Sequence, residues 1–298
     1  MKKLISLLIF SVVLISLCSE LPIQLSLPNL PGQTQGVATI DSGSPDIFVN
    51  VETSTSEIRS ERSLQLFFEL RNKQLYNLRN VHFEFYDYPC FDVAGNNLTK
   101  DNCGSGGTLR SNQSCMWSWR WNSSSSDIDR TCSIKFKVSY EATNSIFQDI
   151  AVLPQAEYNQ REATGTLGSI PIQFTSAKGP LSVYLTFSEP QPFIAGQGGY
   201  DMYINYNNIG DGFFGDLNGK ITLNSSDNIN LNCDDYGKVG STLTLNKKLD
   251  FINGRSVPTI CNFSTSQEST ISIRSLNMEI NYKYTLYGSF PITVRGSS

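Results

Sequence analysis

Histidine is almost missing. The chain of 298 residues holds one, His82, in "NVHFEFY", where it alternates with Phe83 and Phe85 as a strand residue does. With a single imidazole and no matched nucleophile, Ser-His-Asp and Cys-His schemes have no starting point. Charge is scarce too: Asp, Glu, Lys and Arg make up 17% of residues, against roughly 25% in ordinary soluble chains. The net charge of −4, with no basic run, excludes a partner bound through a phosphate backbone. No CxxC pair occurs, which removes the usual zinc sites. Phosphate loops, hydrolase elbows and metalloprotease helices are absent as well. The carboxylate pair Asp234-Asp235 would point to opposite sides of a strand, the wrong geometry for glycoside cleavage. The loops "DVAGNN" (Asp92, Asn96, Asn97) and "NNIGDGFFGD" (Asn208, Asp211, Asp216) are rich in oxygen ligands but lack an EF-hand spacing, and turn chemistry alone explains them. These absences read as a protein that is not an enzyme and needs no cofactor or metal.

What is present begins with the N-terminus. Lys2 and Lys3 precede an apolar run from Leu4 to Leu17, the layout of a secretory signal and too short for a comfortable membrane span. Cys18 ends that run. Ile15-Ser16-Leu17-Cys18 approaches a lipoprotein box but carries Leu17 where a small residue is expected. Two fates stay open, simple cleavage or a lipid on Cys18. The stretch after it, "ELPIQLSLPNLPGQTQG", holds Pro22, Pro28 and Pro31 and suits a spacer; Ile23, Leu25 and Leu27 alternate within it. The other six cysteines, Cys90, Cys103, Cys115, Cys132, Cys233 and Cys261, split evenly between the halves. In an exported protein that predicts disulfides within each half. Four cysteines permit three connectivities; Cys90–Cys132 and Cys103–Cys115 are favoured, because Cys90 and Cys132 border strand-like runs. Sequons at Asn97, Asn112, Asn122, Asn224 and Asn262 are candidate glycosylation sites.

Nearly every periodic segment has period 2. "DIFVNVET", "SLQLFFELRN", "VHFEFYDY", "CMWSWRW" and "CSIKFKVSY" alternate apolar and polar residues between Asn, Gly, Ser and Asp clusters, as half-buried antiparallel strands do. "ATNSIFQDIAVL" supplies a further strand, and Pro154 opens a helical turn or two. The pattern restarts at Pro180 with "PLSVYLTFSEP", "YDMYINYNN", "GKITLNSS", "STLTLNKKL", "SIRSLNMEINYKYTLY" and "SFPITV". The reading is all-β: a signal peptide (1–18), a spacer (19–44), two tandem immunoglobulin-like antiparallel β-sandwiches (45–162 and 180–298), and a linker (163–179) with one strand-like core from Ile170 to Phe174. Two internal echoes suggest that one module occurs twice. Tyr140 and Ile150 repeat as Tyr282 and Ile292 at the same spacing, which a shared final hairpin would explain. An asparagine-containing turn follows the second strand in each half, at Asn72 and in "NYNNIGDG".

At "NYNNIGDG", at the strand from Cys132 to Tyr140, and at "QDIAVLPQAEYNQRE", the chain resembles exported archaeal envelope proteins with tandem immunoglobulin-like, CARDB-type domains. The resemblance covers roughly 45–294 and implies two β-sandwiches, surface exposure and no assigned chemistry. Antibody-type domains carry a tyrosine two residues before the later cysteine; here Tyr140 follows Cys132 by eight. Arg274 stands at the position equivalent to Cys132, so the two modules differ in disulfide layout.

All three tryptophans fall at alternate positions, Trp117, Trp119 and Trp121, and so on one face of a strand. That face reads as core, with Met116, Ser118 and Arg120 on the solvated side. Trp121, beside Asn122 and a serine run, is expected to be the most exposed, which makes Trp121 and Trp119 the candidate ligand-binding residues. The functional expectation is an exported envelope protein with a structural or adhesive role. Its partners would be envelope or cell-surface proteins or glycans, with membrane contact only through a lipid on Cys18. A carbohydrate-binding module and a strand-exchanging filament subunit are the alternatives.

Overall fold

The computed structural model describes residues 36–40, 47–93, 98–101, 103, 104, 106–177, 179–215, 222–225, 229–234, 236–239, 242–245 and 249–297. Cys18, the 1–35 segment, Asn96, Asn97, Asp216 and the side chain of Asn224 lie outside them.

The period-2 segments form strands, and the fold is all-β. Strands of four or more residues are β1 (Gly36–Ile40), β2 (Ile47–Thr53), β3 (Ser63–Asn72), β4 (Leu78–Asp87), β5 (Ser114–Ser123), β6 (Arg130–Leu153), β7 (Leu181–Phe187), β8 (Tyr200–Asn208), β9 (Thr222–Ser225), β10 (Ile229–Cys233), β11 (Tyr236–Val239), β12 (Thr242–Leu245), β13 (Thr259–Thr265) and β14 (Ser272–Arg295). Among the described residues one α-helix, α1 (Gln155–Ala163), follows Pro154 and buries no residue. Of the linker, Leu167–Ser169 is a single 3-10 turn and Phe174–Ser176 pairs with β6.

Three sheets result. The first runs β1-β2-β3-β5 and ends on Phe91–Asp92; the second runs β10-β13-β8 with β7 on the other side of β8; the third, twelve-stranded, has the spine β11-β12-β9-β14-β6-β4. Residues 35–298 form one compact unit. Within it the first sheet packs on one end of the shared sheet, for example through Phe68 against Phe136 and Phe85 against Trp121. The second packs on the other end, where Phe193, paired beside Val152, meets Tyr200 and Phe263. These two ends are called the first and second lobes.

β6 and β14 correct the hairpin expectation. Each is one unbroken strand of 24 residues, about 80 Å long at ~3.4 Å per residue. They pair antiparallel from Arg130↔Val294 to Val152↔Ser272 with no register shift. Tyr140 and Ile150 therefore share a strand, as do Tyr282 and Ile292, and even-numbered residues supply the buried face along the ladder. Gly288, which looks like a turn residue, sits opposite Phe136; a Cβ there would lie 2.3 Å from the ring.

The ladder has a two-fold character. The offset that carries Tyr140 to Tyr282 also carries the ends of β6 onto the ends of β14, and it maps Glu141 onto Lys283, its own ladder partner. Each long strand runs into the other lobe and is closed there in the same way. Glu57–Arg59, early in the chain, pairs in parallel with the end of β14, and the Ser60 N–H donates to Arg295 O (2.8 Å). Phe193–Ile194 pairs in parallel with the end of β6, and the Ala195 N–H donates to Leu153 O (2.7 Å). Val294 and Phe290 are thus core residues of the first lobe although they close the sequence.

The asparagine turns match atom for atom. The Asn72 side chain accepts from the Gln74 N–H (2.9 Å) and donates to Tyr76 O (2.8 Å). Asn208 accepts from the Gly210 N–H (3.2 Å) and donates to Gly212 O (2.8 Å). Each side chain stands in for a backbone turn bond, which suits asparagine.

Candidate functional site

The tryptophan strand β5 lies between β3 and Phe91–Asp92, with Leu64, Leu66 and Phe68 opposite Trp121, Trp119 and Trp117. Its alternation holds, and Met116, Ser118 and Arg120 face solvent. The order of exposure is the reverse of the expectation. Trp121 is 0% exposed, Trp119 6%, and Trp117 only half-buried. Phe85 stands edge-on to Trp121 at 4.6 Å, and Tyr88 and Phe91 close over it at 5.8 Å. The Cys90–Cys132 bond holds that turn down. Residues thirty positions upstream do the covering, so the local sequence carries no sign of it. Trp121 and Trp119 are core residues, and a stacking platform built on them is withdrawn.

The cysteines pair as Cys90–Cys132, Cys103–Cys115 and Cys233–Cys261, with Cα separations of 6.0, 5.8 and 4.0 Å. The last pair joins β10 to β13 at directly opposed positions. Three such bonds fit an oxidising compartment. Among the described residues no helix is long and apolar enough to cross a membrane. The described sequon asparagines Asn112, Asn122 and Asn262 are all exposed. The Asn208 carbonyl oxygen accepts from the Gly210 N–H and from the Tyr284 hydroxyl (3.1 Å).

Exposed aromatic surface lies instead on the outer face of the shared sheet. Tyr86 on β4 and Phe213, paired beside β14, both stand edge-on to Tyr287 on β14, at 6.0 and 5.9 Å. All three are exposed, Phe213 to 65%. Paired charges adjoin them. Lys137, opposite Tyr287 in the ladder, reaches Glu84 at 2.8 Å, and Lys135 reaches Asp87 at 2.7 Å. The Lys137 hydrogen bond, more than any other cause, holds the Glu84 carboxyl below its usual range, and the Asp87 carboxylate raises Lys135. His82 bonds Asp101 and lies 3.6 Å from Glu84. Charges cancel locally, and among the described residues no group of three or more metal-ligating side chains assembles. Such a surface offers ring faces and paired polar groups for contact. Sequence reading missed it because Tyr86, Phe213 and Tyr287 come from three distant segments, each with one outward aromatic among polar neighbours.

The chain matches no protein-family model, and no curated protein matches it either.

Proposed function

We propose that this chain is a non-enzymatic, exported protein of the cell envelope with a structural or adhesive role, built on two immunoglobulin-like modules. The observation that carries the reading is the uninterrupted β6–β14 ladder. A strand pair common to both lobes leaves no hinge between them, and a stiff body with paired surface charges suits bearing load or presenting a face. The signal-like N-terminus, the proline-containing spacer and three disulfides support export. Partners are envelope or surface proteins or glycans, reached by the protein alone or tethered through Cys18. The test is protease shaving and fractionation of producing cells, followed by intact mass of the mature chain. Surface-accessible protein with a processed N-terminus is expected; a cytosolic chain that keeps Met1 overturns the reading.

Glycan binding is the second reading, and the exposed Tyr86, Tyr287 and Phe213 favour it, since flat rings offer apolar faces to sugar rings. A glycan array should lose its signal on Tyr287→Ala and keep it on Trp117→Phe. An array without hits ends this reading.

A further inference from the structure

Among the described residues no strand lies along the second-lobe edge that matches the one β1 covers; the Asn144 side chain donates only to its first outward carbonyl, Leu181 O (2.6 Å). β2–β3 and β7–β8 align residue for residue: Ile47 opposite Asn72 corresponds to Leu181 opposite Asn208. Val49, Val51 and Thr53 therefore correspond to Val183, Leu185 and Phe187. In the first lobe the Ser54 N–H donates to Gln65 O, which turns even-numbered residues of β2 toward β3 and odd-numbered ones away, as antiparallel ladders alternate. β1 lies along that outer side, pairing Gly36, Ala38 and Ile40 with Thr53, Val51 and Val49.

The second lobe has the same phase. The Ile209 N–H donates to Pro180 O, and the Ser188 N–H to Asp201 O. The backbone groups of Leu185 and Phe187 therefore face away from β8. Among the described residues β7 pairs with β8 alone. Burial registers the difference: Val51 and Thr53 are buried, whereas Leu185 and Phe187 are half-buried although both point toward the core. At seven residues β7 is the longest edge strand among the described residues. Its sequence, "LSVYLTF", has none of the charges, prolines or glycines that keep edges from pairing.

We propose that this edge receives a strand from a second copy of the chain, and that the strand is Ile23–Leu27. β1 on β2 displays the mode of addition. "IQLSL" has the length of β1, puts Ile23, Leu25 and Leu27 on one face, and is bounded by Pro22 and Pro28, which a strand at a sheet edge tolerates. It lies upstream of β1, so donating it does not unseat β1. Eight residues separate Leu27 from Gly36, a reach of roughly 26–29 Å. The inference deepens the structural reading by naming the partner, and the two fail separately. A monomer at the cell surface ends this proposal and leaves that reading; a self-assembling protein that stays in the cytosol does the reverse.

The test mixes unlabelled and heavy-isotope-labelled exported protein in which the exposed Thr186 is replaced by the photo-cross-linker p-benzoylphenylalanine. Cross-links from position 186 to the 20–30 segment are expected between unlike isotopes. Sedimentation velocity should detect species larger than the monomer. Replacing Ile23, Leu25 and Leu27 by Asp should weaken assembly by about a hundredfold or more, the effect of removing three apolar anchors, while the circular dichroism melt stays unchanged. Cross-links confined to one isotope, none to that segment, or oligomers that survive the triple substitution would each overturn the proposal.

Discussion

The two lobes repeat one topology and stabilise it differently. In the first, β1 covers the outer edge of β2, and Cys132 is tied to Cys90. In the second, β7 pairs with β8 alone among the described residues, and Arg274, at the position equivalent to Cys132, is paired with Glu268 at 2.6 Å. The first lobe holds all three tryptophans; the second relies on Tyr200, Phe193 and Phe263. The contrast separates what the architecture requires from what each lobe adds. Required in both are the asparagine turn, the long strand and the parallel closure at its far end. A covalent cross-link at the start of that strand and a covered sheet edge are additions.

Because every tryptophan lies in the first lobe, tryptophan fluorescence reports on that lobe alone, while far-ultraviolet circular dichroism reports on both. The largest expected effect is from Trp121→Ala, which removes a fully buried indole at about 3–5 kcal/mol. Chemical denaturation should display the loss by both probes at one midpoint; separate midpoints would mean that the ladder does not couple the lobes. Gly288→Val acts on the same lobe from β14. Its side chain would press on the Phe136 ring and cost roughly 1–3 kcal/mol. The change lies late in the sequence, yet the first lobe should loosen, seen as altered tryptophan emission. An effect confined to the circular dichroism signal would contradict the placement of the end of β14 in the first lobe.

The equivalent positions can be compared directly. Replacing Cys90 and Cys132 by Ala should destabilise by about 2–4 kcal/mol. Glu268→Gln, which leaves the half-buried Arg274 without its counter-charge, should cost less, about 1–3 kcal/mol; equal losses would make the two devices interchangeable. The smallest effect concerns Glu84. Its folded pKa is lowered, so its contribution is complete above the ordinary carboxylate range and is lost as pH falls through the lowered value. The melting-temperature gap between the natural chain and Glu84→Gln should therefore close on acidification, and a gap that widens would contradict the Lys137 assignment.

Much of the fold was legible. Strict alternation in "SLQLFFELRN" and "CMWSWRW" marks β3 and β5, and the echo of Asn72 in "NYNNIGDG" marks a shared turn. The continuity of β6 and β14 was not. Asn144, Ser145, Gly288 and Ser289 are turn-forming residues by local chemistry, and bonds to distant parts of the chain, the facing long strand above all, keep them extended. The site was less legible still. Trp121 sits beside polar residues and is covered from afar, while the aromatic face exists only after strands from both halves come together. The alternating apolar residues upstream of β1 were visible as a donor pattern, but not the acceptor.

The two-fold relation of β6 and β14 has a chemical consequence at its centre. Were the lobes identical chains related by a true dyad, the residue on the axis would have to face its own copy, carboxylate against carboxylate or ammonium against ammonium. Joined in one chain, the two positions are free to differ, and here Glu141 stands across from Lys283. Tandem fusion thus turns a self-opposing contact into one of opposite charge, and it fixes the partner of each half at a local concentration that dilution cannot lower.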